Sequence, residues 1–99
     1  MAKYILTNKS VQDLAKIWNY TFEKWSEKQA DYYYEILISN CMAIAKNPNL
    51  GKSYDIILPN LIGFKVNRHV IFYRIIDSNT IEIIRILHGR MDLRKRIRE

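Results

Sequence analysis

His69 and His88 are the only histidines in the chain, and both stand among cations and hydroxyls suited to phosphate chemistry. Lys65, Arg68, His69, Tyr73, Arg85 and His88 fall on or beside three consecutive strand-like segments. Cleavage of RNA through its 2′-hydroxyl needs a general base, a general acid and cations around the scissile phosphate. Arg68, Tyr73, Arg85 and His88 are therefore the nuclease candidates. Arg85 is also in period-two phase with Ile81, Ile83 and Leu87, which equally suits an arginine paired inside the fold. There is no glycine-rich phosphate loop and no G-x-S-x-G elbow. No motif-spaced carboxylates accompany the histidines, so neither a metal nor a cofactor is expected. The single cysteine, Cys41, reads as an inert core thiol.

The elements that must position these residues can be read from the spacing of apolar positions. Tyr4-Ile5-Leu6-Thr7 is a short strand candidate. Ser10-Val11-Gln12-Asp13 has the form of a capping box, with Asp in the place of the usual Glu or Gln. Apolar residues at 11, 14, 15, 18, 22 and 25, flanked by Ile17 and Thr21, predict one helical stripe. Ser26-Glu27-Lys28-Gln29 is a second capping box, and Ala30, Tyr33, Leu37, Cys41, Ile44 and Ala45 form the stripe of a second helix. Asn47-Pro48 ends it. With almost no linker, the two helices are expected to fold back antiparallel. Trp18, Trp25 and the run Tyr32-Tyr33-Tyr34 read as core and rim aromatics rather than base stackers, because one helix face cannot present all three tyrosines.

The second half predicts an antiparallel meander. Ile62, Phe64 and Val66 alternate with Gly63 and Lys65, Val70–Ile76 is rich in β-branched and aromatic residues, and Thr80–His88 forms a third strand. Asn67-Arg68-His69 and Asp77-Ser78-Asn79 are the turns. Strict alternation places Ile81, Ile83, Arg85 and Leu87 on one face, with Glu82, Ile84, Ile86 and His88 on the other. Both faces are largely apolar, as expected where helices cover one side and another chain covers part of the rest. Asp92 is placed to cap a short final helix carrying Leu93 and Ile97. The order is β-α-α-β-β-β, an α+β fold with a helical hairpin on an antiparallel sheet and a short basic C-terminal segment.

Composition narrows the class. At 99 residues and 48% hydrophobic, the chain suits one ordered domain over residues 1–99. No apolar run is long enough to span a bilayer, and the N-terminus lacks the apolar core of a secretory signal. One cysteine allows no internal disulfide, so a cytoplasmic setting is expected. The net charge of +6 is uneven: residues 1–50 hold six lysines against five acids, whereas residues 51–99 hold ten Lys and Arg against five. Every arginine lies at or beyond Arg68. That half calls for an anionic partner, either nucleic acid or an acidic protein.

The chain resembles the ParE branch of the RelE/ParE toxin superfamily of bacterial toxin–antitoxin systems. The segments that carry the resemblance are Ile17-Trp18-Asn19-Tyr20-Thr21 with Trp25, Gln29-Ala30 and Tyr33; Asn47-Pro48 with Gly51; His69-Val70-Ile71-Phe72-Tyr73-Arg74; and Ile84-Arg85-Ile86-Leu87-His88-Gly89-Arg90-Met91-Asp92. They occur in order over nearly the whole chain. Asn60-Leu61-Ile62-Gly63-Phe64-Lys65 departs from the family in lacking the arginine common at the start of that strand.

This resemblance implies a type II toxin that inhibits DNA gyrase without being an enzyme, traps it on cleaved DNA, and causes growth arrest. RelE-like relatives instead cut messenger RNA on the ribosome, and a basic nucleic-acid-binding module is a further alternative. Here only Lys65 and Arg68 surround the first turn of the meander, and the terminal His-Tyr pair of some cleavers is missing. The resemblance further implies an acidic, ParD-like antitoxin, with operator DNA met only through the toxin–antitoxin complex and no membrane partner. Ile62, Phe64, Ile84, Ile86, Arg85 and Arg90 are the positions expected to meet the antitoxin. Trp25, His88, Arg90, Met91, Asp92 and Arg94 are those expected to meet the target.

Overall fold

Eight elements follow one another in the computed structural model, which describes residues 1–99. They are β1 (Lys3–Leu6), α1 (Asn8–Lys24), α2 (Glu27–Lys46), β2 (Lys52–Ser53), β3 (Ile62–Val66), β4 (His69–Asp77), β5 (Thr80–His88) and α3 (Leu93–Arg98). One 3-10 turn, Pro48–Leu50, links α2 to β2. The sheet order is β1-β5-β4-β3-β2. All neighbours are antiparallel except β1, which lies parallel to β5. The expected order of elements is present. The two-residue β2 and the parallel edge strand are departures from it, the first too short to leave a periodic signal.

The helical hairpin turns on two residues, Trp25 and Ser26. Trp25 closes α1 by donating its N–H to the Thr21 carbonyl, and Ser26 at once caps α2 by accepting from the Gln29 N–H at 3.0 Å. Such a cap contributes on the order of 1 kcal/mol. Trp18 Nε1 donates to Asp31 across the hairpin at 2.9 Å. The α2 stripe is as expected: Ala30, Leu37, Cys41, Ile44 and Ala45 are buried, and Tyr33 is half-buried. Burial pushes the Cys41 thiol up to about 12, so it stays protonated and unreactive.

Helix α1 departs from its predicted start and its predicted face. Its cap is Thr7, whose hydroxyl accepts from the Ser10 N–H at 3.1 Å, so the Ser10 capping box does not form. The buried positions are Ser10, Asp13, Leu14 and Thr21, whereas Val11, Phe22 and Trp25 are exposed. Apolar periodicity mispredicted the face because three of its four inward residues are polar. Each is satisfied: Ser10 Oγ donates to the Thr7 carbonyl, Thr21 Oγ1 to the Ile17 carbonyl, and Asp13 pairs with β5.

The sheet has two covered faces. Toward the helices, Val66, Ile71, Tyr73, Ile81, Ile83 and Ile86 pack with Leu14, Leu37, Cys41 and Ile44. On the opposite face Leu61, Val70, Phe72 and Leu87 form a second cluster under Tyr54, Ile57, Leu93 and Ile97. The chain's own 54–61 loop and α3 therefore cover much of the face expected to need another chain. Strict alternation along β5 also fails. Phe72 pairs with Arg85 and Tyr73 with Ile83, leaving Ile84 as the extra residue of a β-bulge. Past that point the phase shifts, so Ile86 joins Ile81 and Ile83 in the main core while Leu87 faces the second cluster. The bulge is held by Thr7, whose hydroxyl donates to the Ile84 carbonyl at 2.9 Å.

Candidate functional site

Two of the four nuclease candidates are engaged in holding the fold. Arg85 is 8% exposed and grips Asp13 of α1 with both prongs of its fork: Nε donates to Oδ2 at 2.8 Å and Nη2 to Oδ1 at 2.9 Å. Its remaining nitrogen, Nη1, donates to the Arg96 carbonyl of α3 at 2.6 Å. The hydrogen bonds to Asp13 hold the guanidinium above its ordinary pKa, against the opposing effect of burial. Of the two readings open for Arg85, the geometry is that of a paired structural arginine tying α1, β5 and α3 together. Tyr73 is fully buried, and its hydroxyl donates to the Pro48 carbonyl at 2.7 Å and accepts from the Gly51 N–H at 3.1 Å. It fastens the α2–β2 connection to the middle of the sheet. A side chain at Gly51 would collide with that hydroxyl and with Ile62, which accounts for glycine there.

The other two candidates, Arg68 and His88, line an open cleft of about 970 Å³. Its first wall is the outer surface of the helical hairpin, where Lys16, Tyr20 and Lys24 follow at one-turn spacing and end at Trp25. The second wall is the β3–β4 turn, Asn67-Arg68, and the third is His88, Arg90 and Met91 after β5. Two features shape this end of the sheet. Asn67 takes a positive φ of 55°, as mirror-type two-residue hairpin turns require and asparagine tolerates. Gly89 then donates its N–H to the Arg68 carbonyl, and Met91 its N–H to the His88 carbonyl, so the chain folds over the hairpin tip.

At the base of the cleft His69 and His88 face each other across β4 and β5, with ring centroids 5.4 Å apart and edge to face. Nδ1 of His69 shares a 2.6 Å hydrogen bond with the Tyr33 hydroxyl. Burial, and secondarily the neighbouring His88, lowers the His69 pKa to about 4, so this ring is neutral at pH 7. Nδ1 of His88 accepts the Arg90 N–H at 3.1 Å. None of the four cations of the cleft, Lys16, Lys24, Arg68 and Arg90, takes part in an ion pair; the pairs lie at Arg74–Glu82, Arg85–Asp13, Arg85–Glu99 and Arg96–Glu99. No aspartate or glutamate lines the cleft. The result is a positive, aromatic-edged concavity that suits an anionic partner. No group of three His, Cys, Asp or Glu side chains is placed to hold a metal ion.

The cleft unites four of the six residues expected to meet the target, Trp25, His88, Arg90 and Met91. Asp92 is turned away to cap α3 by accepting from the Lys95 N–H, and Arg94 stands exposed on that helix. Among the residues expected to meet the antitoxin, Arg90 belongs to the cleft, and Ile62, Phe64 and Ile84 are half-buried against the two clusters. Ile86 and Arg85 are corrected: Ile86, at 1% exposure beyond the bulge, faces the helices, and Arg85 is buried with its guanidinium held by Asp13 and the Arg96 carbonyl, so neither offers a surface anchor. Lys16, Tyr20, Lys24 and Tyr33 were not among the expected site residues. The i, i+4, i+8 spacing of Lys16, Tyr20 and Lys24 was the one sign available.

The family model described as ParE toxin of type II toxin–antitoxin system, parDE, matches residues 4–93. Toxin ParE1 of Mycobacterium tuberculosis (strain CDC 1551 / Oshkosh) is 33% identical over 92 residues, covering 93% of this chain and 94% of the relative. Toxin ParE1 of Caulobacter vibrioides is 32% identical over 94 residues, covering 95% and 96%. Among solved structures, the chromosomal ParDE system from P. aeruginosa superposes with a TM-score of 0.75 at 17% identity, over 89% of this chain and 96% of that one. The RelBE2 toxin–antitoxin complex of Mycobacterium tuberculosis gives a TM-score of 0.68 at 18% identity, over 88% and 96%.

Proposed function

The chain belongs to the ParE toxin family of type II toxin–antitoxin systems, and on that premise we propose that it inhibits DNA gyrase without chemistry of its own and is silenced by an acidic, ParD-like antitoxin. The observation that carries the non-enzymatic reading over RNA cleavage is the engagement of Arg85 and Tyr73. Both hydrogen bond to the fold itself, Arg85 through its whole guanidinium and Tyr73 through its only polar atom. Arg68 and His88 remain at the cleft with His69. That ring is held neutral near pH 7, and a pKa so far below neutrality makes it a feeble base.

The target-facing surface is the cleft rim formed by Trp25, His88, Arg90 and Met91. Free cations beside exposed aromatics supply the steering charge and the anchors that a tight protein contact uses. An acidic antitoxin matches the same positive end of the molecule, and Arg90 is the residue expected to serve both encounters. Purified toxin added to gyrase and relaxed plasmid should halt supercoiling or accumulate cleaved DNA, and stoichiometric antitoxin should restore activity. Unchanged supercoiling at saturating toxin overturns the gyrase reading.

A further inference from the structure

From the chemistry of the cleft we propose that it binds a single strand of DNA directly, with phosphates on its cations and a base stacked on Trp25. The proposal deepens the reading above by naming what the same cleft holds, and it rests on that reading only for where the strand comes from, a DNA-bound enzyme. Three observations carry it. Lys16, Lys24, Arg68 and Arg90 ring the cleft, none is in an ion pair, and no carboxylate interrupts them. Trp25 and Tyr20, on the same wall, are 70% and 63% exposed, which opens Trp25 to the stacking that its helical spacing alone argued against. An aromatic ring that the fold leaves in water beside free cations has the make-up of a stacking platform in an electrostatic groove. Lastly, the amides of Gln29 and Asn67 line the same space, and such groups donate to phosphate oxygens or base edges.

An acidic amphipathic helix is the competing occupant, and the lining disfavours it. Such a helix needs a row of aliphatic sockets for anchors at i, i+3 and i+4. Here the aliphatic lining is Ile17 alone, beside the Met91 side chain, and the other apolar surface is aromatic. A duplex is disfavoured as well, because its bases are already stacked and only an unpaired base can lie on Trp25. The arginine-rich α3 is not part of the cleft, so net charge by itself and this site make different predictions.

The test is fluorescence anisotropy of a labelled oligothymidylate of about twelve nucleotides with the full-length chain, gyrase and antitoxin being absent, across salt from about 50 to 200 mM. The expected result is binding with a log–log salt slope of about −3, four cations each neutralising one single-strand phosphate. Trp25→Ala should weaken it by at least about fivefold. Arg68→Ala should flatten the slope by about 0.7. Lys95→Ala/Arg98→Ala, on α3, should leave affinity within about twofold, and circular dichroism should report the same fold for every variant. Absence of binding at the lowest salt overturns the proposal. So does binding that survives Trp25→Ala and Arg68→Ala but falls with the α3 variant. Because gyrase is absent, each of these negative results leaves the gyrase reading standing.

Discussion

Asp13 and Arg85, 72 residues apart in sequence, form a buried bidentate ion pair whose carboxylate also accepts the Ile86 N–H at 3.0 Å. The carboxylate therefore serves two purposes. It neutralises the only buried guanidinium, and it satisfies a backbone donor of β5 past the point where β1 stops pairing with it.

Removing one member leaves the other charged and buried. Asp13→Ala should cost about 3–5 kcal/mol in urea unfolding. Replacing both by apolar residues of similar volume, Asp13→Leu with Arg85→Met, should recover part of that loss, since the desolvation cost disappears with the pair while the Ile86 N–H stays unpaired. By contrast Glu82→Ala, which breaks the exposed Arg74 pair, should cost no more than about 1 kcal/mol. Equal losses at the two sites would contradict the central role given to Asp13.

That pair also explains what the sequence concealed. Helix α2, its Ser26 cap, the α3 cap at Asp92 and the hairpin strands were legible, because each is specified by residues within a few positions of one another. The inward face of α1 was not, since Ser10, Asp13 and Thr21 look polar until their partners on Thr7, Ile17 and β5 are known. The β5 phase was hidden by a bulge at Ile84 that is anchored by Thr7, 77 residues away. The cleft drew on segments near residues 16–33, 67–69 and 88–91. His88 to Met91 could be named from sequence, but their meeting with Lys16, Tyr20 and Lys24 is a product of the tertiary fold.

His69 makes stability pH-dependent in a defined direction. Burial, then His88, lowers its pKa in the folded chain to about 4, from the ordinary histidine value of about 6.5. Between those values the unfolded chain binds the proton and the folded chain does not. This contribution to stability is therefore complete above about pH 6.5 and is lost as pH falls toward 4. Midpoints of denaturant unfolding measured across that window should fall with pH in the parent chain and fall less steeply in His69→Gln. Parallel curves for the two proteins would contradict the assignment.

Tyr73 separates a structural hydroxyl from a chemical one. Tyr73→Phe keeps the ring in the core but strips the Pro48 carbonyl and the Gly51 N–H of their partner. The expected loss is about 1–3 kcal/mol in thermal or urea unfolding, with growth arrest retained at temperatures where the variant is folded. A variant that is fully stable yet inactive would restore Tyr73 to the nuclease candidates.

Gyrase poisoning and RNA cleavage are separated by inducible expression of the chain with and without its antitoxin, with gyrase-dependent DNA cleavage and messenger integrity read from the same cultures. Cleaved DNA and intact messenger are expected when the toxin is expressed alone. Antitoxin should abolish the cleavage, and the pair Trp25→Ala and Arg90→Ala should sharply reduce it. Fragmented messenger with undamaged DNA during growth arrest would contradict gyrase poisoning.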